Sequence, residues 1–284
     1  MKNVLVVGGG GGGVILANSL DPDKYNITVI DRDMYHYYQP WFLYIAFNGS
    51  RRKIWRRIDD LLKSGIKFVN DTVNEIDLDN RTVKTGRGNY NYDYIAVATG
   101  TYPDTNGITG LKEINDEYGN YHSNLENARK LWNKISEFKG GNAVLLQASP
   151  TCKCPPSPSE GIFLLEEYLN KIGIKNKSKL IFATPYPRPY PAEPMNRIVE
   201  PMMRERGIEI ITFFNLDSID IKNKTLISLE GDSIKYDLPI IIPPCRGTDI
   251  KFNNEKVLDN DRFIKADKYT MRIEGYDDAF AIGD

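Results

Sequence analysis

Six consecutive glycines, Gly8 to Gly13, stand between the apolar run Val4-Leu5-Val6-Val7 and the stretch Val14-Ile15-Leu16-Ala17. A turn that binds a dinucleotide needs Gly-x-Gly-x-x-Gly between a buried parallel strand and a helix. The first glycine makes the tight turn, the second lets pyrophosphate approach the backbone, and the third packs the helix on the strand. Gly8, Gly10 and Gly13 fall in that register. The spacing predicts a strand over 4–7, a helix over 14–20 whose N-terminus faces phosphate, and a second strand over 27–30. Asp31 ends that second strand, roughly 20 residues beyond the turn, where an acidic group accepts ribose hydroxyls. Arg32 follows it. A flexible polyglycine linker would have neither this apolar framing nor a spaced aspartate.

Two further segments indicate which dinucleotide is held. Residues 92–97 read as an apolar strand that closes on Ala98-Thr99-Gly100, and the chain reaches Asp284 through Ala281-Ile282-Gly283. Together with the glycine turn, these segments resemble the auxiliary FAD motifs of the flavoprotein superfamily with two dinucleotide-binding domains. In that superfamily the Ala-Thr-Gly segment lies beside the cofactor, and the final Asp meets the ribityl chain and phosphate. The resemblance implies an α/β fold of two Rossmann-like domains, the first discontinuous. The expected division is residues 1–108 with 255–284 for the FAD domain and 109–254 for the second.

Composition bounds the function. With 26% charged residues, 41% apolar residues and a net charge of −1, nothing in the chain favours a nucleic acid or an acidic surface as partner. No stretch reaches the ~20 apolar residues of a membrane span, and the apolar start is too short for a signal peptide. Three cysteines form no disulfide framework and suggest a reducing compartment, with the cytoplasm as the expected location.

Residues 109–254 read as a second α/β unit. Strands are expected at 143–147, 179–183, 208–214, 218–221, 225–229 and 238–242, and helices at 124–138, 158–172 and 195–206. A pyridine-nucleotide domain would carry its own glycine turn after the first strand. Here the strand 142–147 is followed by Ala148-Ser149-Pro150-Thr151, and side chains there obstruct a pyrophosphate. The turn continues Cys152-Lys153-Cys154-Pro155-Pro156-Ser157-Pro158-Ser159-Glu160. Ser157 suits an N-cap, Pro158 the first helical position and Glu160 the return arm of a capping box. Cys154 then stands just ahead of a helix N-terminus, whose partial positive charge, with Lys153, favours thiolate. Such a thiolate near a flavin attacks the ring or joins a disulfide that exchanges electrons with it. Cys152 reaches Cys154 only through a small, strained ring. Zinc needs four ligands, and two cysteines here with a distant Cys245, His36 and His122 make a poor set.

The segment Lys153 to Glu160, with Phe163-Leu164-Leu165-Glu166-Glu167 after it, resembles the redox-cysteine segment of sulfide:quinone oxidoreductases and of the flavoprotein subunit of flavocytochrome c sulfide dehydrogenase. Tyr35-His36-Tyr37-Tyr38-Gln39-Pro40 is similar to the family segment in which the proline lies near the flavin. Ile241-Ile242-Pro243-Pro244 through Gly247 resembles its return strand. The resemblance implies that sulfide attacks a disulfide between Cys154 and a second cysteine. A persulfide forms, and two electrons pass through FAD to a membrane quinone.

This chain departs from the family pattern in three ways. The family's partner cysteine usually follows the Gly-Asp motif. No cysteine precedes Cys152, which speaks against a thioether link to FAD. Cys245 stands where relatives more often carry an apolar or aromatic residue, so its role is open, and it joins Cys154 and Cys152 among the catalytic candidates. The family's further C-terminal segment, with quinone contacts and peripheral membrane helices, is expected beyond Asp284. A homo-oligomer is left open. The competing expectations are a type II NADH:quinone dehydrogenase-like enzyme and a truncated, non-catalytic flavoprotein.

Overall fold

The computed structural model describes residues 1–284, which divide into two compact units. One comprises Met1–Tyr38, Ile54–Tyr102 and Arg246–Asp284, and the other Gln39–Lys53 and Pro103–Cys245.

The first unit is built on a five-stranded, all-parallel sheet. Its order is Ala279–Ala281, Tyr94–Val97, Lys2–Val7, Tyr25–Asp31, Lys67–Asn70. Period-two alternation explains why its first strand reads as continuously apolar. Val4 and Val6 pack with Ala17, Ile27 and Val29 on one face, while Leu5 and Val7 pack with Ile30, Ile95 and Val97 on the other. A strand covered on both faces has no side for polar residues. Each such side chain taken out of water contributes about 1.5–3 kcal/mol before entropy is counted. The stretch expected to be β-rich after Phe68 forms the antiparallel strands Val73–Asp77, Thr82–Thr85 and Asn89–Asn91, with Lys251–Phe252 added in parallel beside Val73–Asp77.

The second unit carries a four-stranded parallel sheet in the order Ile208–Ile211, Ser178–Ala183, Gly141–Gln147, Leu238–Ile242. A small antiparallel sheet, Leu216–Asp220, Thr225–Ser228 and Ser233–Lys235, accompanies it. The helices Leu125–Glu137, Ser157–Lys171 and Glu193–Glu205 fall within two residues of their sequence-based ranges. Helix Leu125–Glu137 is N-capped by the Asn124 side chain, which accepts the N–H of Asn127 at 2.9 Å.

The unit boundaries differ from the expected 1–108/255–284 division, and residues 39–53 account for the main difference. They contain a helix, Phe42–Asn48, that is absent from the sequence-based expectation, with Phe42, Leu43, Ile45, Ala46 and Phe47 all buried. That helix packs on Leu125–Glu137 and Ser157–Lys171, so a segment between two pieces of the first unit belongs by contact to the second. No helix of the chain is long and apolar enough to cross a membrane.

Candidate functional site

In the first unit the glycine turn lies at the carboxyl ends of the parallel strands, where ligands bind in folds of this class. Gly8 has φ +110°, its N–H donates to Ile30 O at 2.8 Å, and a Cβ there would stand 2.2 Å from Ala98 O. A Cβ on Gly13 would stand 1.9 Å from Gly8 O. The protein's own backbone therefore demands glycine at both positions. Gly10 differs, because no heavy atom lies within 4 Å of its missing Cβ, and the same holds for Gly11. Helix Gly11–Ser19 begins there, with Gly10 at its N-cap and no side-chain cap, which leaves its first N–H groups for an anion.

The other sequence-predicted residues of this unit gather around the same point. Ala98 donates its N–H to Val7 O at 2.7 Å, and Thr99 and Gly100 (φ +69°) continue from it. Ile282 donates to Val97 O at 3.0 Å, and Gly12 faces Gly283, with 3.8 Å from its missing Cβ to Gly283 Cα. The two chain ends thus meet, with Gly283 and Asp284 beside the glycine helix. Asp31 accepts the Gly9 N–H on Oδ2 at 2.5 Å and the Asp33 N–H on Oδ1 at 2.7 Å. Burial raises its carboxyl above the usual range, against the pull of those two donors. Arg32 extends from the same strand end, with its guanidinium over the Tyr102 ring at 5.1 Å.

The second unit places its cysteines where a nucleotide-binding domain would have its glycine turn, after strand Gly141–Gln147 and ahead of helix Ser157–Lys171. This loop is tied down by Tyr186, which donates to Pro150 O at 3.1 Å, and by Cys245, whose N–H donates to Thr151 O at 2.9 Å. Cys154 is exposed and adopts φ +56°, a left-handed conformation rare for a side chain with a Cβ. Its carbonyl accepts the Ser157 N–H at 3.0 Å. Cys152 is half-buried, and its Sγ accepts from Gln147 Nε2 at 3.3 Å. Burial, then Cys245 and Cys154, push its thiol up to about 12. Cys245 is buried, and all three cysteines are free thiols. Lys153 donates to Gln39 Oε1 at 2.9 Å. Pro40, next to Gln39, belongs by contact to the second unit. No group of three or more His, Cys, Asp or Glu side chains is disposed to hold a metal.

The capping box expected at the cysteine helix is corrected by the structure. Pro156 occupies the N-cap position, and Ser157 is the first helical residue and makes no side-chain cap. Its hydroxyl instead pairs with His122 Nε2 at 2.6 Å, and Tyr121 donates to its carbonyl at 3.1 Å. A buried partner reached through the tertiary fold outcompetes a local, solvent-exposed cap. Gly161, one turn on, lets this helix close on the sheet, since a Cβ there would meet Tyr121 Oη, Leu145 and Phe47 at 2.9–3.0 Å.

Sequence alone gives His122 no structural role, because it is merely one of two histidines. It is buried, its Nδ1 has no hydrogen-bond partner, and desolvation lowers its pKa to about 3, with Lys153 adding to the effect. The unfolded chain binds this proton near pH 6.5, whereas the folded chain resists it until about 3. Stability should therefore fall as pH drops below about 6.5, with about 2 kcal/mol lost from this group by about pH 5. Urea denaturation at about pH 7 and about pH 5 should show that loss, and His122→Gln should shrink it; an unchanged slope in the variant would remove His122 as its source.

The chain belongs to the pyridine nucleotide-disulphide oxidoreductase family, whose model matches residues 2–146. It is 29% identical over 299 residues to the mitochondrial sulfide:quinone oxidoreductase of Dictyostelium discoideum, with all of this chain and 66% of that protein covered. It is 27% identical over 305 residues to a type II NADH:quinone oxidoreductase of Staphylococcus haemolyticus, covering 100% of this chain and 74% of the relative. Among solved structures, the sulfide:quinone oxidoreductase of Aquifex aeolicus superposes with a TM-score of 0.85 at 24% identity, covering 100% of this chain and 68% of that one. The chain thus spans about two thirds of the length of the sulfide:quinone oxidoreductases it matches.

FAD is the cofactor this family implies, and the residues present fit it. Space opens in front of Gly10 and Gly11 at an uncapped helix N-terminus, and Thr101 Oγ1, next to Gly100, is buried with no protein partner. An orphaned hydroxyl of this kind calls for a ligand or solvent.

Proposed function

We propose that this protein oxidises sulfide and passes the electrons through FAD to a quinone. The observation that carries this reading is the cysteine turn, Cys152 to Cys154, standing where a nicotinamide-binding domain needs glycines. Ser149 and Pro150 put side chains at that position, and proline offers no N–H to a phosphate. The similarity to proteins named sulfide:quinone oxidoreductase supports the same reading.

In this proposal Gly10 and the N-terminus of helix Gly11–Ser19 hold the pyrophosphate, and Asp31 meets the ribose. Ala98, Thr99, Gly100, Gly283 and Asp284 line the remainder of the cofactor. FAD supplies a two-electron acceptor that also delivers to quinone. Cys154, exposed at the start of its helix, carries sulfur as a persulfide. The overall reaction balances as hydrogen sulfide plus quinone giving sulfane sulfur plus quinol. Use of a membrane quinone would bring the protein to the membrane surface, with the cytoplasmic face as the proposed location.

Type II NADH:quinone oxidoreductase similarity motivates the second reading, and one experiment separates the two. Under anaerobic conditions, flavin absorbance of the purified protein should bleach on addition of sulfide and stay unchanged with NADH. Bleaching by NADH would establish the second reading, and bleaching by neither would leave a flavoprotein without this turnover.

A further inference from the structure

Cys154 stands in a conformation that its own side chain and its neighbours oppose. Its φ of +56° is left-handed, which a Cβ disfavours, and Pro155 after it pushes the preceding residue towards extended backbone. Pro155 and Pro156 have ring-fixed φ, so the turn they form cannot spread that cost along the chain. A conformation of this kind persists only where surrounding contacts over-determine it.

Those contacts meet at Ser157. Its N–H donates to Cys154 O at 3.0 Å and closes the turn. Its hydroxyl pairs with His122 Nε2 at 2.6 Å, and its carbonyl accepts the Tyr121 hydroxyl at 3.1 Å. All three residues are buried. His122 is fixed from behind, because its N–H donates to Asn120 Oδ1 at 2.8 Å and the buried Asn120 accepts the Ser123 N–H on the same oxygen at 2.8 Å. Buried hydrogen bonds resist rotation, since no water replaces a lost partner. Cys154 itself is exposed. The strained residue thus stands at the surface, and the groups that hold it lie inside.

From this arrangement we infer that His122, acting through Ser157, is a positioning residue for Cys154. The buried pair maintains the left-handed turn that presents the Cys154 side chain at the surface of the second unit. This deepens the sulfide-oxidising reading above and rests on it for its kinetic consequence. His122 touches no reacting atom in this role. It fixes where the sulfur stands, and a misplacement of about 1 Å costs up to about a hundredfold in rate.

One test needs no sulfide. Cys245 is buried in the second unit and falls alone in tryptic peptide 236–246. Its alkylation in rising urea, read by mass spectrometry on the FAD-loaded protein, reports unfolding of that unit. Glycine adopts left-handed φ freely, so Cys154→Gly should raise the folding equilibrium constant about fivefold in the parent. In His122→Ala the turn is no longer held, and the same change should give no gain. Ser157→Ala, which removes only a hydroxyl, should abolish the gain likewise and answers the question if His122→Ala does not fold. A histidine that only filled space would lower each midpoint and leave the glycine gain intact. A gain that persists in both backgrounds, or one absent from the parent, overturns the inference.

The second test is kinetic. His122→Ala and Ser157→Ala should each lower kcat for sulfide-dependent quinone reduction at least about tenfold, with KM for quinone within about twofold. The double variant should lose no more than either single one, because both remove the same pin. His122→Gln, whose amide nitrogen reaches the same hydroxyl, should recover most of the loss. Turnover within about twofold of the parent in both single variants overturns the inference. A failed glycine cycle with sulfide turnover intact would sink the pin and spare the proposed function. A successful cycle in a protein that sulfide cannot reduce would do the reverse.

Discussion

Cys154→Ser should reduce sulfide-dependent quinone reduction by on the order of 10³-fold or more while FAD stays bound, the loss expected when a covalent sulfur carrier is removed. Serine matches cysteine in shape, and the side chain is exposed, so little packing is at stake. The residue's structural contribution is its backbone: its carbonyl accepts the Ser157 N–H, and its φ of +56° is retained with either side chain. Flavin content and thermal unfolding should therefore match the parent protein. The measurement is steady-state quinol formation with sulfide as donor, alongside the flavin-to-protein absorbance ratio. Turnover within about tenfold of the parent would take Cys154 out of the reaction. Loss of flavin together with turnover would instead mark it as a folding residue.

The second large effect concerns two glycines, two residues apart, that should fail in different ways. Gly8→Ala puts a methyl 2.2 Å from Ala98 O at a φ of +110°. Left-handed strain costs about 1–3 kcal/mol, and forced overpacking adds about 1–3 kcal/mol. The first unit should then be destabilised by about 2–6 kcal/mol, a large fraction of the roughly 5–15 kcal/mol that holds a domain folded. At Gly10 the first carbon of a valine side chain meets no protein atom within 4 Å, and Gly10 has φ −72°, which any residue adopts. The stability of Gly10→Val without cofactor should stay within about 1 kcal/mol of the parent, because nothing is displaced. Its side chain would nevertheless fill the approach to the helix N-terminus, and FAD affinity should fall at least about a hundredfold. Denaturation of the apoprotein, paired with flavin titration, checks both. If Gly10→Val bound FAD normally, the pyrophosphate would have to lie elsewhere.

Much of this architecture was legible because its determinants are local. The strands Lys2–Val7 and Tyr25–Asp31 announce themselves by apolar runs, and the register of Gly8, Gly10 and Gly13 follows from what a phosphate turn demands. Helix Phe42–Asn48 is illegible for the opposite reason. Its sequence, Phe-Leu-Tyr-Ile-Ala-Phe-Asn, is almost uniformly apolar, short, and without an N-capping side chain, and so shows no period to read. Ser157 misleads because a favourable local motif, the capping box, loses to a buried partner that no local rule includes.

The sequence by itself determined the nucleotide-type turn, the Ala98-Thr99-Gly100 and Gly283-Asp284 segments, and the replacement of a second glycine turn by cysteines. These depend on backbone constraints acting over a few residues, which residue type and spacing express directly. Only the tertiary structure decided that residues 39–53 belong to the second unit, that His122 holds Ser157, and that Cys245 faces the loop bearing Cys152. Each of these joins segments distant along the chain. Such contacts are selected by the burial and hydrogen bonding of the whole packed unit, a property that no short stretch of residues carries.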